Sequence, residues 1–465
     1  MPVSSQRTRW IVLATIGAAF MSSLDLFVVN VAFDDIGRDL QVGQGGGPTP
    51  ADLSWVLSAY AVTFAALLVP FGRLADRYGR KRMFVGGLAV FVVASVACAL
   101  SAGVWTLVVF RVLQAAGAAA MTPTSLGILM AALPPAKRVG AVRLWAATGA
   151  LAAAFGPTVG GVLAQLSWHW VFLINLPIGL MLLWLAVTAI DDSRPDDDTA
   201  RPDLVGAAVF AGSVGLLALG LTKSNDWGWA SGRTVGSLAG AVVLGLVFAW
   251  QSRRHVSPVI HPALLRVASF RYANLTMVVF NVAFAAQLLV GILWLQQIWG
   301  YSALRTGFAI AVGPALVPVT AALTHRLLPT ASHARLVAVG SLVCALGNIW
   351  LVARMGVEPD YLTAYLPGWI LGGIGVGFAL PNLMAGGTRD LAPEQSATGS
   401  AIVTMSRQIG FVIGISVLFA IVGSDQGVAA KDGFIATWWV AAGALVAAAA
   451  LGLGMSARTR ERATA

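Results

Sequence analysis

The chain has 465 residues, of which 58% are hydrophobic and only 11% charged, with a mean hydropathy of +0.80 and a formal net charge of +10. A soluble globular chain carries about 25% charged residues. The composition therefore excludes a water-facing enzyme, a nucleic-acid binder and a disordered scaffold, and implies an all-α integral membrane protein whose basic excess sits in its loops.

A spanning helix needs roughly 20 mostly apolar residues. Fourteen such runs follow one another at 10–32, 53–71, 84–102, 105–132, 144–164, 170–190, 204–222, 234–250, 273–297, 306–325, 334–353, 362–384, 398–422 and 434–455. The first follows Arg7 and Arg9, but its length and the acid Asp25 mark a retained helix rather than a cleaved leader. The fourth contains Pro123, which removes a backbone donor and predicts a kink. With both termini cytoplasmic, 22 of the 30 Lys and Arg fall in cytoplasmic loops or tails. Arg38, Lys223, Arg233, Arg305, Arg354 and Lys431 fall outside, and Arg111 and Arg407 inside spans. That bias supports fourteen helices with the N-terminus in the cytoplasm.

Polar segments punctuate the series as six, two and six. A linker at 191–203 (DDSRPDDDTARPD) closes the first six spans, and a second loop at 251–271 precedes the last six. The expected organisation is an N-terminal six-helix bundle at 1–190, linkers with two extra transmembrane helices at 191–271, and a C-terminal six-helix bundle with a cytoplasmic tail at 272–465. Two six-helix halves are what an alternating-access transporter requires. Cys98 and Cys344 lie in apolar runs, the five histidines form no HExxH, and no GxxxxGK[ST] loop occurs. Neither a metal site, a cofactor site nor a nucleotide motor is expected, so pumping would draw on an ion gradient. No nucleophile–base constellation suggests an enzyme.

Several segments carry chemistry. Between spans two and three runs Gly72-Arg73-Leu74-Ala75-Asp76-Arg77-Tyr78-Gly79-Arg80-Lys81-Arg82, read as a tight turn bracketed by two glycines. A generic basic turn explains its charges but not its spacing. Span one contains Leu24-Asp25-Leu26-Phe27-Val28-Val29-Asn30-Val31-Ala32, and span two opens with Trp55-Val56-Leu57-Ser58-Ala59-Tyr60. Span four carries Arg111-Val112-Leu113-Gln114, and span five Gly156-Pro157-Thr158-Val159-Gly160-Gly161. Trp168-His169-Trp170 and Phe172-Leu173-Ile174-Asn175-Leu176-Pro177-Ile178-Gly179 follow. In this order the segments resemble the fourteen-helix drug:proton antiporters of the major facilitator superfamily.

The resemblance implies the major facilitator fold: two six-helix bundles plus two extra helices. It also implies proton-coupled efflux of hydrophobic, neutral or monocationic drugs across a bacterial inner membrane, by a monomer embedded in the lipid bilayer with both termini cytoplasmic. Its expected partners are a small-molecule substrate and protons, without nucleic acid. The alternatives are a narrow exporter of one antibiotic or metabolite and a non-transporting membrane sensor.

Asp25 is the one acid placed deep in the membrane, where a lone charge is costly, and Arg111 is its natural partner. The pair is read as proton-coupling, against the alternative of a fixed salt bridge. Gly72, Asp76, Arg77, Gly79, Arg80 and Lys81 are assigned to gating, with Gly156, Pro157, Gly160 and Gly161 as hinge or close-packed contact. Asn30, Tyr60, Gln114, Trp145, Trp294 and Arg407 are candidate substrate contacts. For Arg407, which with Gln408 and Gly410 resembles the RQxG of that family helix, snorkelling to the interface or a carbonyl contact is the alternative. Asp34 and Asp35 are read as solvated acids, and Trp184 joins the aromatics that could line a cavity.

Overall fold

In lipid every backbone polar group must find its partner within the spanning segment, so long apolar runs fold as helices. A computed structural model describes residues 5–42, 48–191, 201–328, 330–423 and 425–456. Most of the expected linker (192–200) and the end of the tail (457–465) lie outside the described residues. The fourteen long helices are α1 (Ser5–Val31), α2 (Trp55–Tyr78), α3 (Arg80–Ala99), α4 (Val104–Ala132), α5 (Pro135–Leu166), α6 (Asn175–Ala189) and α7 (Leu204–Thr222). They continue as α8 (Gly232–Arg254), α9 (Ala268–Leu293), α10 (Ala303–Leu327), α11 (His333–Arg354), α12 (Leu366–Thr388), α13 (Pro393–Val422) and α14 (Lys431–Leu453). Among the described residues thirteen helices are long and apolar enough to cross a membrane. The remaining long helix, α5, occupies the place of the fifth expected span.

Boundaries differ where apolarity and helicity part company. Helix α2 does not stop at 71 but runs to Tyr78, so Gly72 is helical and only Gly79 (φ 104°) makes the turn. A left-handed φ is cheap for glycine alone. Helix α5 begins at Pro135 rather than 144, proline being pre-set for a first helical turn. Helix α8, the shortest apolar run, has 23 residues because its ends are polar: Ser231 accepts from the Thr234 N–H at one end, and Arg253 and Arg254 close the other. Helix α4 continues unbroken through Pro123.

The chain divides into two compact units, Met1–Ala211 with Ser302–Ala311, and Gly212–Tyr301 with Val312–Ala465. The division falls inside α7, one of the two extra helices, rather than at the linkers. In the first unit α1 packs on α5, α6 and α4, while α3 and α2 pack on α4. In the second, α9 packs on α13, α14 and α12, and α11 on α12 and α14. The packing order repeats. Phe84, Phe91 and Phe172 fill the first core, and Trp294, Trp438 and Phe280 the second.

Extra helices α7 and α8 cross through small residues, with Ser213 Oγ donating to the Ala241 carbonyl at 2.8 Å. Their connecting turn is held to the second unit by Asn225, whose amide donates to the Ala420 carbonyl at the end of α13 (2.7 Å). Val242, Leu246 and Trp250 on α8 are exposed, the surface expected against lipid tails.

Candidate functional site

Five helices of the first unit converge on Asp25. Its side chain is fully buried, as is that of Arg111. Arg111 Nη1 donates to Asp25 Oδ2 at 2.5 Å and to Gln114 Oε1 at 2.7 Å, and Nε donates to the Val56 carbonyl at 3.1 Å. The guanidinium lies over the Tyr60 ring, 4.1 Å from its centroid. Gln114 Nε2 donates to Asp25 Oδ1 (2.8 Å) and to Ser95 Oγ (3.0 Å). Asn175 Nδ2 does the same from α6, at 3.0 and 2.9 Å. Ser95 Oγ donates in turn to the Phe172 carbonyl at 2.9 Å. Charge-assisted bonds of this kind are the strong ones, and desolvation makes breaking one partner expensive.

The donor census determines what the cluster can do. Each side chain touching the Asp25 carboxylate supplies N–H: a guanidinium and two amides. The ionised carboxylate is thereby well satisfied. A proton on Asp25 would add an O–H donor facing only donors, and a buried donor left unmade costs about 1–3 kcal/mol. Relief would come from an amide turning its oxygen toward Asp25. If Gln114 turns, its NH2 meets the Arg111 guanidinium in place of the oxygen that now accepts from it. One proton would then loosen two of the three hydrogen bonds of Arg111, those to Asp25 and Gln114, and leave the one to the Val56 carbonyl.

Reasoning from the sequence brought Asp25, Arg111, Tyr60 and Gln114 forward, and the structure gathers all four. It missed Ser95 and Asn175. Asn175 lay in a motif already quoted, but a hydroxyl such as Ser95 in an apolar span gives almost no signal.

The segment after α2 is a second assembly. Across the Gly79 turn, Arg80 Nη2 pairs with Asp76 Oδ1 (2.9 Å), and its Nη1 lies 3.5 Å from the Gly127 carbonyl of α4. Lys81 Nζ donates to the Val187 carbonyl near the end of α6 (3.1 Å), where a lysine also complements the helix dipole. Arg7, at the start of α1, pairs with Asp191 and donates to the Ala189 carbonyl (2.9 Å). Arg77 lies beside Tyr78 with its guanidinium 5.8 Å from the ring centroid.

In α5 the small residues permit backbone contact. A Cβ at Gly156 would stand 2.4 Å from Phe27 Cβ, and one at Gly160 2.7 Å from the Val28 carbonyl oxygen, both on α1. On the far side, Gly161 meets the Ala303 carbonyl, and the Pro157 carbonyl meets Gly307. Side chains larger than hydrogen are excluded from each crossing.

Other candidates scatter. Asn30 donates to its own helix at the Leu26 carbonyl (2.6 Å). Trp145 donates to Ser125 Oγ (2.9 Å). Trp294 is sealed between Phe434 and Trp438, with centroids 6.2 and 5.1 Å away. Trp184 stands outside, 57% exposed, beside Trp10. Arg407 is partly buried at the middle of α13. Asp34 and Asp35 are not loop acids: both sit in a short helix, Phe33–Asp39, paired with Arg38 at 3.0 and 2.6 Å. Burial pushes the Asp35 carboxyl above its ordinary range, against the pull of Arg38. Among the described residues no group of His, Cys, Asp and Glu has the arrangement of a metal site.

The sequence model of the Major Facilitator Superfamily matches residues 15–415. The chain is 31% identical over 421 residues to "Multidrug resistance protein Stp" of Mycobacterium tuberculosis, covering 90% of this chain and 76% of that protein. It is 32% identical over 442 residues to "Probable actinorhodin transporter" of Streptomyces coelicolor, covering 91% and 75%. Among solved structures an auto-inhibited POT family peptide transporter has the same fold, with a TM-score of 0.70 at 17% identity over 97% of this chain and 96% of that one. Fourteen long helices, a twice-used packing order and a sequence match across most of the chain make this protein a multi-pass membrane transporter of the Major Facilitator Superfamily.

Proposed function

We propose that the protein exports drug-like or antibiotic molecules in exchange for protons, by alternating access. The observation that carries this reading is the buried Asp25 cluster: an acid held only by N–H donors, in which a proton would weaken the Arg111 latch. A static salt bridge needs no such arrangement, and buried pairs add little net stability. Relatives support the export direction, since their names specify multidrug resistance, cephamycin export and tetracenomycin C export. The last two also favour a second reading, a narrow exporter of one antibiotic. The protein acts as a monomer and not as an enzyme, with protons and the small molecule as its partners. Both termini face the cytoplasm, as the basic ends of α1 and α3 imply.

The Asp76–Arg80 and Lys81–Val187 contacts are assigned to holding the cytoplasmic ends of α2, α3 and α6 together in one state. Efflux of a fluorescent monocation from proteoliposomes under an imposed pH gradient tests the proposal, with Asp25→Asn alongside. Gradient-driven flux that disappears in the variant is the expected result. Flux indifferent to the gradient in the wild type would overturn proton coupling. Flux of one antibiotic but none of a panel of dyes would favour the narrow exporter.

A further inference from the structure

Arg407 is the fifteenth residue of the 30-residue α13, about 20 Å of helix from either end. That is too deep for snorkelling to a headgroup. Among the described residues no hydrogen bond or ion pair reaches its guanidinium. The long helices of the second unit contain no acid apart from Glu394 and Asp432, in the first turns of α13 and α14. Beside Arg407, Gln408 is buried and its Nε2 has no acceptor. One helical turn thus holds two sets of donors and nothing to receive them, the inverse of the Asp25 cluster.

The helix around it is packed rather than laid bare. Between 398 and 422 no residue of α13 is exposed, whereas α8 shows lipid the bare side chains of Val242, Leu246 and Trp250. Ser400, Thr404, Arg407 and Phe411 instead form one partly open stripe at four-, three- and four-residue steps. The stripe carries two hydroxyls, a cation and an aromatic ring. A guanidinium in such a setting matches a planar oxyanion, which it can bind through two parallel N–H bonds.

We propose that Arg407 anchors an anionic group, a carboxylate or comparable oxyanion, on an otherwise apolar exported molecule. This rests on the exporter reading and replaces its neutral or monocationic substrates with acids and zwitterions as the preferred class.

The test uses dansylglycine and its methyl ester, which share a body and differ in the charge. Binding to the protein in nanodiscs is read by energy transfer from its tryptophans. The expected result is a wild-type preference for the acid of about tenfold, lost in Arg407→Gln while the ester changes by no more than about twofold. Arg407→Lys should keep part of the preference, because it retains the charge without the fork. The wild-type ratio needs no variant to fold. Equal affinity for acid and ester, binding of neither, or loss of both together at an unchanged melting temperature overturns the assignment. Proton-driven flux that persists without an acid preference would sink this inference alone. An acid preference without proton-driven flux would sink the antiport reading alone.

Discussion

The two units solve one packing problem with different chemistry. In the first, α3 and α4 cross at Gly87 and Gly117, where a Cβ on Gly117 would stand 2.6 Å from the Gly87 carbonyl oxygen. In the second, α11 and α12 cross at Gly340 and Gly375, with 2.4 Å for the matching distance. Counting from these crossings aligns the sites. Six residues before the later glycine stand Arg111 and Trp369, three before it Gln114 and Gly372, and eight after the earlier one Ser95 and Asn348. Where Asp25 meets Gln114, Gln287 meets Gly372 and accepts from Asn348 Nδ2 at 2.6 Å. Trp369 stacks on Tyr365 with centroids 5.4 Å apart. An amide pair and an indole thus occupy the place of an ion pair and its amides. The fold is indifferent to the charges, so they serve something other than packing.

The largest effect that would sharpen this contrast is Arg111→Ala. It strands a buried carboxylate and should lower stability by about 3–5 kcal/mol, read as a fall in melting temperature in detergent. A loss below 1 kcal/mol would mean that water already reaches the site. Next comes function. Asp25→Asn should remove gradient-driven flux, while Gln287→Ala should leave its gradient dependence in place. If both variants lose it, the halves share the coupling and the contrast breaks. Gln287→Ala should still cost about 1–3 kcal/mol by leaving one N–H of the buried Asn348 amide without its acceptor, the other still bonded to the Cys344 carbonyl (3.0 Å). Gly87→Ala, whose Cβ would lie 2.7 Å from Ala120 Cβ, and Gly340→Ala should each cost about 1–3 kcal/mol, and by similar amounts if the crossings are equivalent. Smallest is Arg80→Gln. Its pair with Asp76 is 42% and 46% exposed, so stability should change by about 0–1 kcal/mol while flux falls. A stability loss without a flux loss would make the pair structural only.

Much of this was legible in the sequence. Spans follow from apolar length, because lipid leaves the backbone no alternative, and Asp25 and Arg111 stood out because charge is rare at such depth. Span ends were less legible where helix outruns apolarity, as at Tyr78 and Pro135. The supporting shell was hidden for another reason. Ser95 and Asn175 matter by position across helices, which no spacing along the chain encodes. Gln287 and Asn348 were invisible for the same reason, being neutral amides whose partnership appears only when the fold brings their side chains from α9 and α11 within reach.

The grip of Asn225 on the end of α13 has a mechanical corollary. The turn joining the two added helices is tied to the end of the helix that bears Arg407. Trp229, exposed on the same turn, is then a natural pointer: a dye attached there would report on the end of α13 without touching any residue of either site.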